Sequence, residues 1–199
     1  MTSIIILSDS AFETANRIKQ VTGGSIEGLA TRCSRADTTF DDTRTHMQTR
    51  FRAGEPVIAV MAVGAIIRLL APLLADKQKE PPVLAVAEDG SSVVPLLGGH
   101  HGANDLAEQV AAGLVAHAAI TTAGDLRFGI ALDNPPEGWT LANPENAKNV
   151  MAALLSGDEV RLQGRYINGA RWLMESRLPL DDDGECVIST SETVRDHAP

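Results

Sequence analysis

With 199 residues, 44% of them apolar, the chain is long enough for one substantial domain or two small ones around a true core. Its 26 acidic side chains against 17 basic ones give a net charge of −9, which argues against nonspecific attraction to nucleic acid or to an anionic membrane surface. A polyanionic ligand would therefore need locally placed donors. The two cysteines, Cys33 and Cys186, lie far apart with no CxxC or Cys–His spacing, so neither a disulfide framework nor a metal site is expected, and a reducing cytoplasmic setting fits.

The N-terminus has no basic region before its apolar run and no small-residue cleavage signature, so it reads as a first strand and not as a signal peptide. Residues 4–7 are continuously aliphatic, as in a strand covered on both faces, and Ser8-Asp9-Ser10 supplies N-cap chemistry for a helix over about 11–21. Gly23-Gly24 ends that helix, and residues 25–30 form a weaker strand pattern. Residues 38–52 are polar, with Phe40, Met47 and Phe51 roughly at helical repeats, which predicts a surface helix capped within 39–42.

Residues 56–62 (PVIAVMA) are the clearest buried strand. Val63-Gly64 turns it into a helix over 65–74 that is apolar on nearly every face and so is expected in the interior. Gly64, Arg68 and Pro72 interrupt the apolar run 57–74, which argues against a membrane span. Arg68 is that helix's one charge. Helical side chains lean toward the N-terminus, so its guanidinium can reach the space before the first N–H groups; it can equally snorkel to solvent or pair with a carboxylate.

After a polar loop with Pro81-Pro82, residues 83–87 and 92–96 flank Glu88-Asp89-Gly90, a strong hairpin signal. The second strand runs into Gly98-Gly99-His100-His101-Gly102, and a helix with apolar residues at helical spacing follows to about His117. Residues 118–121 read as a short strand, and 122–125 as a small polar turn. In an open α/β sheet ligands gather where strands end and helices begin, which suggests a rim shared by these turns. Asn134-Pro135-Pro136-Glu137-Gly138 marks a boundary. Beyond it, a helix from Asn143-Pro144 to about Leu155, strands at 160–163 and 185–190, and a short helix at 171–174 suggest a small second α/β unit. The fold class expected is α/β, a mostly parallel sheet flanked by helices, divided into 1–133 and 134–199.

The glycine turn is neither GxGxxG nor a P-loop, so nucleotide binding is disfavoured. A glycine turn at a helix start is more generally an anion or oxyanion site. His100 and His101 are adjacent, diverge, and have no third ligand at helical or strand spacing, so no metal site is expected. A helix N-terminus favours neutral imidazole, fit to act as a base or a donor; one partly buried, bonded histidine beside one exposed is the plainer alternative. Asp105 and Glu108 resemble a capping box. Thr121, Thr122 and Asp125 are either contacts at the sheet rim or ordinary turn chemistry.

Three blocks, MAVGAIIRLLAPLLADK (61–77), PPVLAVAEDGSSVVPLLGGHHGANDLAE (81–108) and AAITTAGD (118–125), are similar in order and spacing to the N-terminal region of the cobalamin-biosynthesis family CbiG. LANPENAKNVMAALLSGDEVRL (141–162) resembles the family's middle region, and no C-terminal domain of the family is expected within these residues. The resemblance implies the cobalt-precorrin-5A hydrolase reaction, in which a δ-lactone on the corrin precursor is opened and two carbons leave as acetaldehyde. It implies an anionic tetrapyrrole as the ligand and no resident cofactor, any cobalt belonging to the substrate. Other cobalamin-pathway enzymes are the expected partners, since relatives also occur fused to a precorrin-3B C17-methyltransferase. The family's LLSGHxGGAN is here LLGGHHGAN, with Gly98 in place of serine and one glycine fewer.

Lactone hydrolysis needs a base of near-neutral pKa and donors for an oxyanion. On that chemistry His100 is the first candidate for the base or water-positioning group and His101 the second. The N–H groups around Gly98, Gly99 and Gly102 are candidate oxyanion donors. Arg68, beside Gly64, is the candidate for a substrate carboxylate, and Asn104, Thr121, Thr122 and Asp125 are candidate contacts. A noncatalytic module that binds or channels the tetrapyrrole is the alternative.

Overall fold

The computed structural model describes residues 1–164 and 167–191. They fall into two compact units, Met1–Ile120 and a second that begins at Thr121.

In the first unit β1 (Ser3–Ile6), β2 (Ser25–Leu29), β3 (Thr38–Phe40), β4 (Val57–Val60), β5 (Val83–Val86), β6 (Ser92–Leu97) and β7 (His117–Ala118) form one sheet in the order β3-β2-β1-β4-β5-β6-β7. Every neighbouring pair is parallel except β5–β6, the expected hairpin. The unbroken aliphatic runs of β1, β4 and β5 follow from cover on both faces. Ile4, Ile6, Ile58, Val60, Leu84 and Val86 meet α1 (Phe12–Thr22) and a later helix, α4, on one side; Ile5, Val57, Ala59, Val83 and Ala85 meet α2 (Thr43–Arg52) and α3 (Val63–Leu70) on the other. The later helix, α4, spans Ala103–Leu114.

The local reasons are those of the sequence. Ser8 caps the helical turn ahead of α1 through its hydroxyl, and Gly23 at φ +67° closes α1 in the left-handed region. Asp42 caps α2 by accepting the Thr45 N–H at 2.8 Å. Gly90 at φ +73° makes the β5–β6 turn, its N–H donating to the Ala87 carbonyl.

Three expectations are corrected. Residues 38–40 are a strand and not the approach to a helix; Thr38 and Thr39 are exposed on an edge strand and only Phe40 is buried, and three residues are too few to show a period of their own. The helix after β4 is not interior. α3 buries Ile66 and Leu70 on the sheet and leaves Ile67 49% exposed, because one stripe is all that the sheet face can cover. The helix α4 stops at Leu114, where Val115 adopts φ +55°, and His117 enters β7.

One charged cluster is built into the core. Glu27 of β2, 3% exposed, receives Arg50 in a fork, Nε to Oε2 at 3.1 Å and Nη2 to Oε1 at 2.8 Å. His46 Nε2 lies 2.5 Å from Oε2 and the Ser3 hydroxyl donates to Oε1 at 3.3 Å. The His46 ring stacks on Phe40 with centroids 4.3 Å apart. His46 and Arg50 stand four apart on α2, so this carboxylate pins one helix face to the sheet.

In the second unit α5 (Ala123–Phe128) starts where a turn alone was expected, and α6 (Pro144–Ser156) is stopped by Gly157. β8 (Val160–Gly164) pairs in parallel with β9 (Cys186–Thr190), with α7 (Arg171–Met174) between them in sequence. Phe128, Leu154, Val160 and Leu173 centre this small core. The α/β class and the small second α/β unit are as the sequence indicated. Among the described residues no helix is long and apolar enough to cross a membrane.

Candidate functional site

The sheet register decides where the candidate residues lie. Val57 of β4, Val83 of β5 and Leu97 of β6 are lateral partners, so Gly98 emerges at the amino ends of the parallel strands. Gly64 follows the carboxyl end of β4. The two are separated by the length of a four-residue strand, about 10 Å or more. The hairpin that delivers β6 antiparallel to β5 is the cause, and the turns of the first unit do not share one rim. Thr121, Thr122 and Asp125 belong to the second unit, Thr122 at the N-cap of α5 and Asp125 in its first turn.

At the amino rim Gly99–His101 form one helical turn between two left-handed glycines, Gly98 at φ +79° and Gly102 at φ +80°. The Gly98 carbonyl accepts from His101 N at 2.8 Å and from Ala103 N at 3.1 Å. The N–H groups of Gly99 and His100 begin the turn and so have no carbonyl within it. His100 is half-buried and His101 exposed. Asn104 and Asp105 stand in the first turn of α4, whose N-cap is Gly102; Asp105 is thus a first-turn acid and not the cap.

A second segment packs on this turn. A Cβ added to Gly98 would lie 2.4 Å from Pro82 N and 2.5 Å from the Pro81 carbonyl oxygen, so the backbones touch. Nearby, His101 Nε2 donates to the Gln78 carbonyl at 2.8 Å. Asp76 organises that stretch. Its Oδ1 accepts the Gln78 N–H at 3.1 Å, its carbonyl accepts Lys79 N at 2.9 Å, and Oδ2 pairs with Lys79 Nζ at 3.2 Å. The Gln78 N–H, and after it Lys79, holds the Asp76 carboxyl below the ordinary carboxylate range.

Sequence reasoning passed over Asp76, Gln78 and the proline pair as loop. The hairpin signal contained the clue, since a strand returning beside residues 83–86 must end where that strand begins.

Arg68 leans toward the N-terminus of α3 as expected, yet its Nη1 donates to the Gly64 carbonyl at 2.7 Å. The side chain is exposed and covers Gly64, where a Cβ would stand 2.9 Å from Nη1. Among the described residues no group of three or more His, Cys, Asp or Glu side chains could hold a metal ion.

Fold and site together define an open, doubly wound α/β domain whose glycine–histidine turn stands on the amino rim, braced by a neighbouring loop. Residues 45–125, which include α3 and the whole turn, match the family described as Cobalamin synthesis G N-terminal. A cobalt-precorrin-5A hydrolase of Priestia megaterium is 32% identical over 151 residues, 74% of this chain and 40% of that protein. A second protein of that name, from Salmonella typhimurium, is 42% identical over 93 residues, 46% of this chain and 25% of that protein. The crystal structure of a cobalamin biosynthesis protein G homolog from Sulfolobus solfataricus shares 24% identity at a TM-score of 0.45, covering 81% of this chain and 48% of that one. The family match and the two hydrolase relatives agree with the resemblance noted in the sequence. The chain spans less than half the length of the curated relatives that it matches.

Proposed function

We propose that the chain acts in cobalamin biosynthesis, binding an anionic tetrapyrrole and assisting hydrolysis of the δ-lactone of cobalt-precorrin-5A with release of acetaldehyde. What carries the reading is that the family match includes the glycine–histidine turn and that relatives named for this hydrolase are 32% and 42% identical over their matched stretches. Water adds at the acyl carbon and the acyl–oxygen bond breaks, leaving a carboxylate and an alkoxide. Collapse of the alkoxide to a carbonyl breaks the carbon–carbon bond to the macrocycle, whose conjugated ring takes the electron pair and then a proton, and the two carbons leave as acetaldehyde.

The residues serve this chemistry as follows. His100 takes the water proton or orients the water, with His101 as the second imidazole at the turn. The N–H groups around Gly98, Gly99 and Gly102 serve as oxyanion donors. Asn104 contacts the ligand from the first turn of α4. Arg68, at the other rim, holds a peripheral carboxylate with the donors left beyond its bond to Gly64.

Incubating the purified chain with cobalt-precorrin-5A and assaying acetaldehyde tests the reading. Release confirms catalysis by this chain. Tetrapyrrole binding without release supports the second reading, a binding or channelling module working with other cobalamin-pathway enzymes. Absence of both overturns the proposal.

A further inference from the structure

The hydrogen bond between His101 and Gln78 fixes more than a distance. A carbonyl oxygen only accepts, so Nε2 of His101 carries the proton, and in the neutral ring Nδ1 keeps the lone pair. An exposed imidazole on a surface turn otherwise exchanges tautomers and rotamers freely. Here the carbonyl that selects the state belongs to a turn with its own brace. Asp76 accepts Gln78 N–H with one carboxylate oxygen, pairs with Lys79 through the other, and closes the turn with its carbonyl. The contact of Gly98 with Pro81 and Pro82 holds the two loops in register at their other end.

We propose that Asp76 is a positioning residue for His101: the 76–79 turn presents the Gln78 carbonyl to Nε2 and so leaves Nδ1 as the ring nitrogen that faces substrate. The proposal rests on the hydrolase reading for its chemical meaning, but its structural claim stands on the two loops alone. Asp76 acts through His101 and touches no substrate. Its carboxylate is 46% exposed, so replacing it disturbs a surface turn and not the core.

The test is a ¹H–¹⁵N correlation spectrum of the imidazole nitrogens, with His101 assigned from His101→Gln. The wild-type chain is expected to show a slowly exchanging Nε2–H. Asp76→Ala loses that resonance to exchange with water. Asp76→Asn, which keeps an acceptor for Gln78 N–H, and Gln78→Ala, which keeps the carbonyl, both retain it. Where the chain releases acetaldehyde, Asp76→Ala lowers kcat roughly tenfold or more with KM little changed, as expected of a misoriented group, and Asp76→Asn restores it. Persistence of the resonance in Asp76→Ala, or its absence from wild type, overturns the proposal. If wild type releases no acetaldehyde while the ring resonance follows the expected pattern, the hydrolase reading fails and the positioning of His101 is upheld.

Discussion

Gly98 lies so close to Pro82 that a Cβ added to it would stand 2.4 Å from the proline nitrogen, with the backbone at φ +79°. Two requirements thus coincide, a left-handed conformation and direct backbone contact. Gly98→Ala or Gly98→Ser violates both. A non-glycine residue strained in this way costs on the order of 1–3 kcal/mol before any clash is counted. Such variants should lower the thermal midpoint by several degrees, read by circular dichroism, and a melting curve that does not move would contradict the packing.

Glu27 makes a different kind of prediction, because it is paired with the Arg50 guanidinium and its carboxylate is buried. Glu27→Ala strands Arg50 and His46 against the sheet. Breaking a fully buried pair costs ~3–5 kcal/mol; Arg50 is 33% exposed, which moves the expectation toward the lower end. Urea denaturation should show a lower midpoint at unchanged slope, with Glu27→Gln intermediate because it retains hydrogen bonds from Arg50 and Ser3. Equal stability of wild type and Glu27→Ala would show that the cluster contributes nothing.

How far these features could be read from sequence depends on whether their cause is local. The β1, β4 and β5 strands, the Asp-Gly hairpin and the 171–174 helix rest on runs, turn residues and spacing that lie within a few positions of one another, and all are present. Glu27 lies between strand-forming residues, and its partners are 19 and 23 positions away, so no window contains the cluster. The glycine–histidine turn was legible as a turn before a helix. Its rim was not, because that depends on the direction of β6 relative to β5, and the brace from Asp76 and Gln78 depends in turn on that direction. The exposed face of α3 escaped notice for a related reason: an apolar sequence says what could be buried, and the sheet decides how much is.

Acid should destabilise the first unit through identifiable carboxylates. The Thr45 hydroxyl and N–H hold the Asp42 carboxyl below the ordinary aspartate range, as the Ser34 hydroxyl and N–H do for Asp9, and as Lys19 and the Ile26 N–H do for Asp37. Each is lower in the folded than in the unfolded chain. Its contribution is therefore complete above the unfolded value, about 3.9, and is lost as pH falls through the folded value. Thermal midpoints should be nearly level from pH 7 to about 5 and fall below about 4. Asp42→Asn keeps a cap acceptor but cannot titrate, so its midpoint should fall less steeply in acid. An identical acid slope in that variant would remove Asp42 from the account.

The separation of the rims makes the last prediction, which divides binding from chemistry. His100 and His101 stand at the amino ends of the parallel strands, whereas Arg68 lies against Gly64 beyond the carboxyl end of β4. A single lactone carbonyl cannot be met by both. If the turn supplies the base, His100→Ala should lower kcat for acetaldehyde release by ~10²–10⁴-fold, the range of general-base contributions, with His101→Ala the smaller effect. If Arg68 holds a peripheral carboxylate, Arg68→Ala removes only that contact, so KM should rise while kcat stays within about threefold, the signature of lost uniform binding. Arg68→Lys should recover part of the loss, because an ammonium retains the charge without the planar fork. The same variants in a binding assay with a carboxylated porphyrin should reproduce the Arg68 effect and leave the histidine variants near wild type. A kcat effect at Arg68 comparable to that at His100 would mean that the lactone sits at the carboxyl rim, and the catalytic assignment would move there with it.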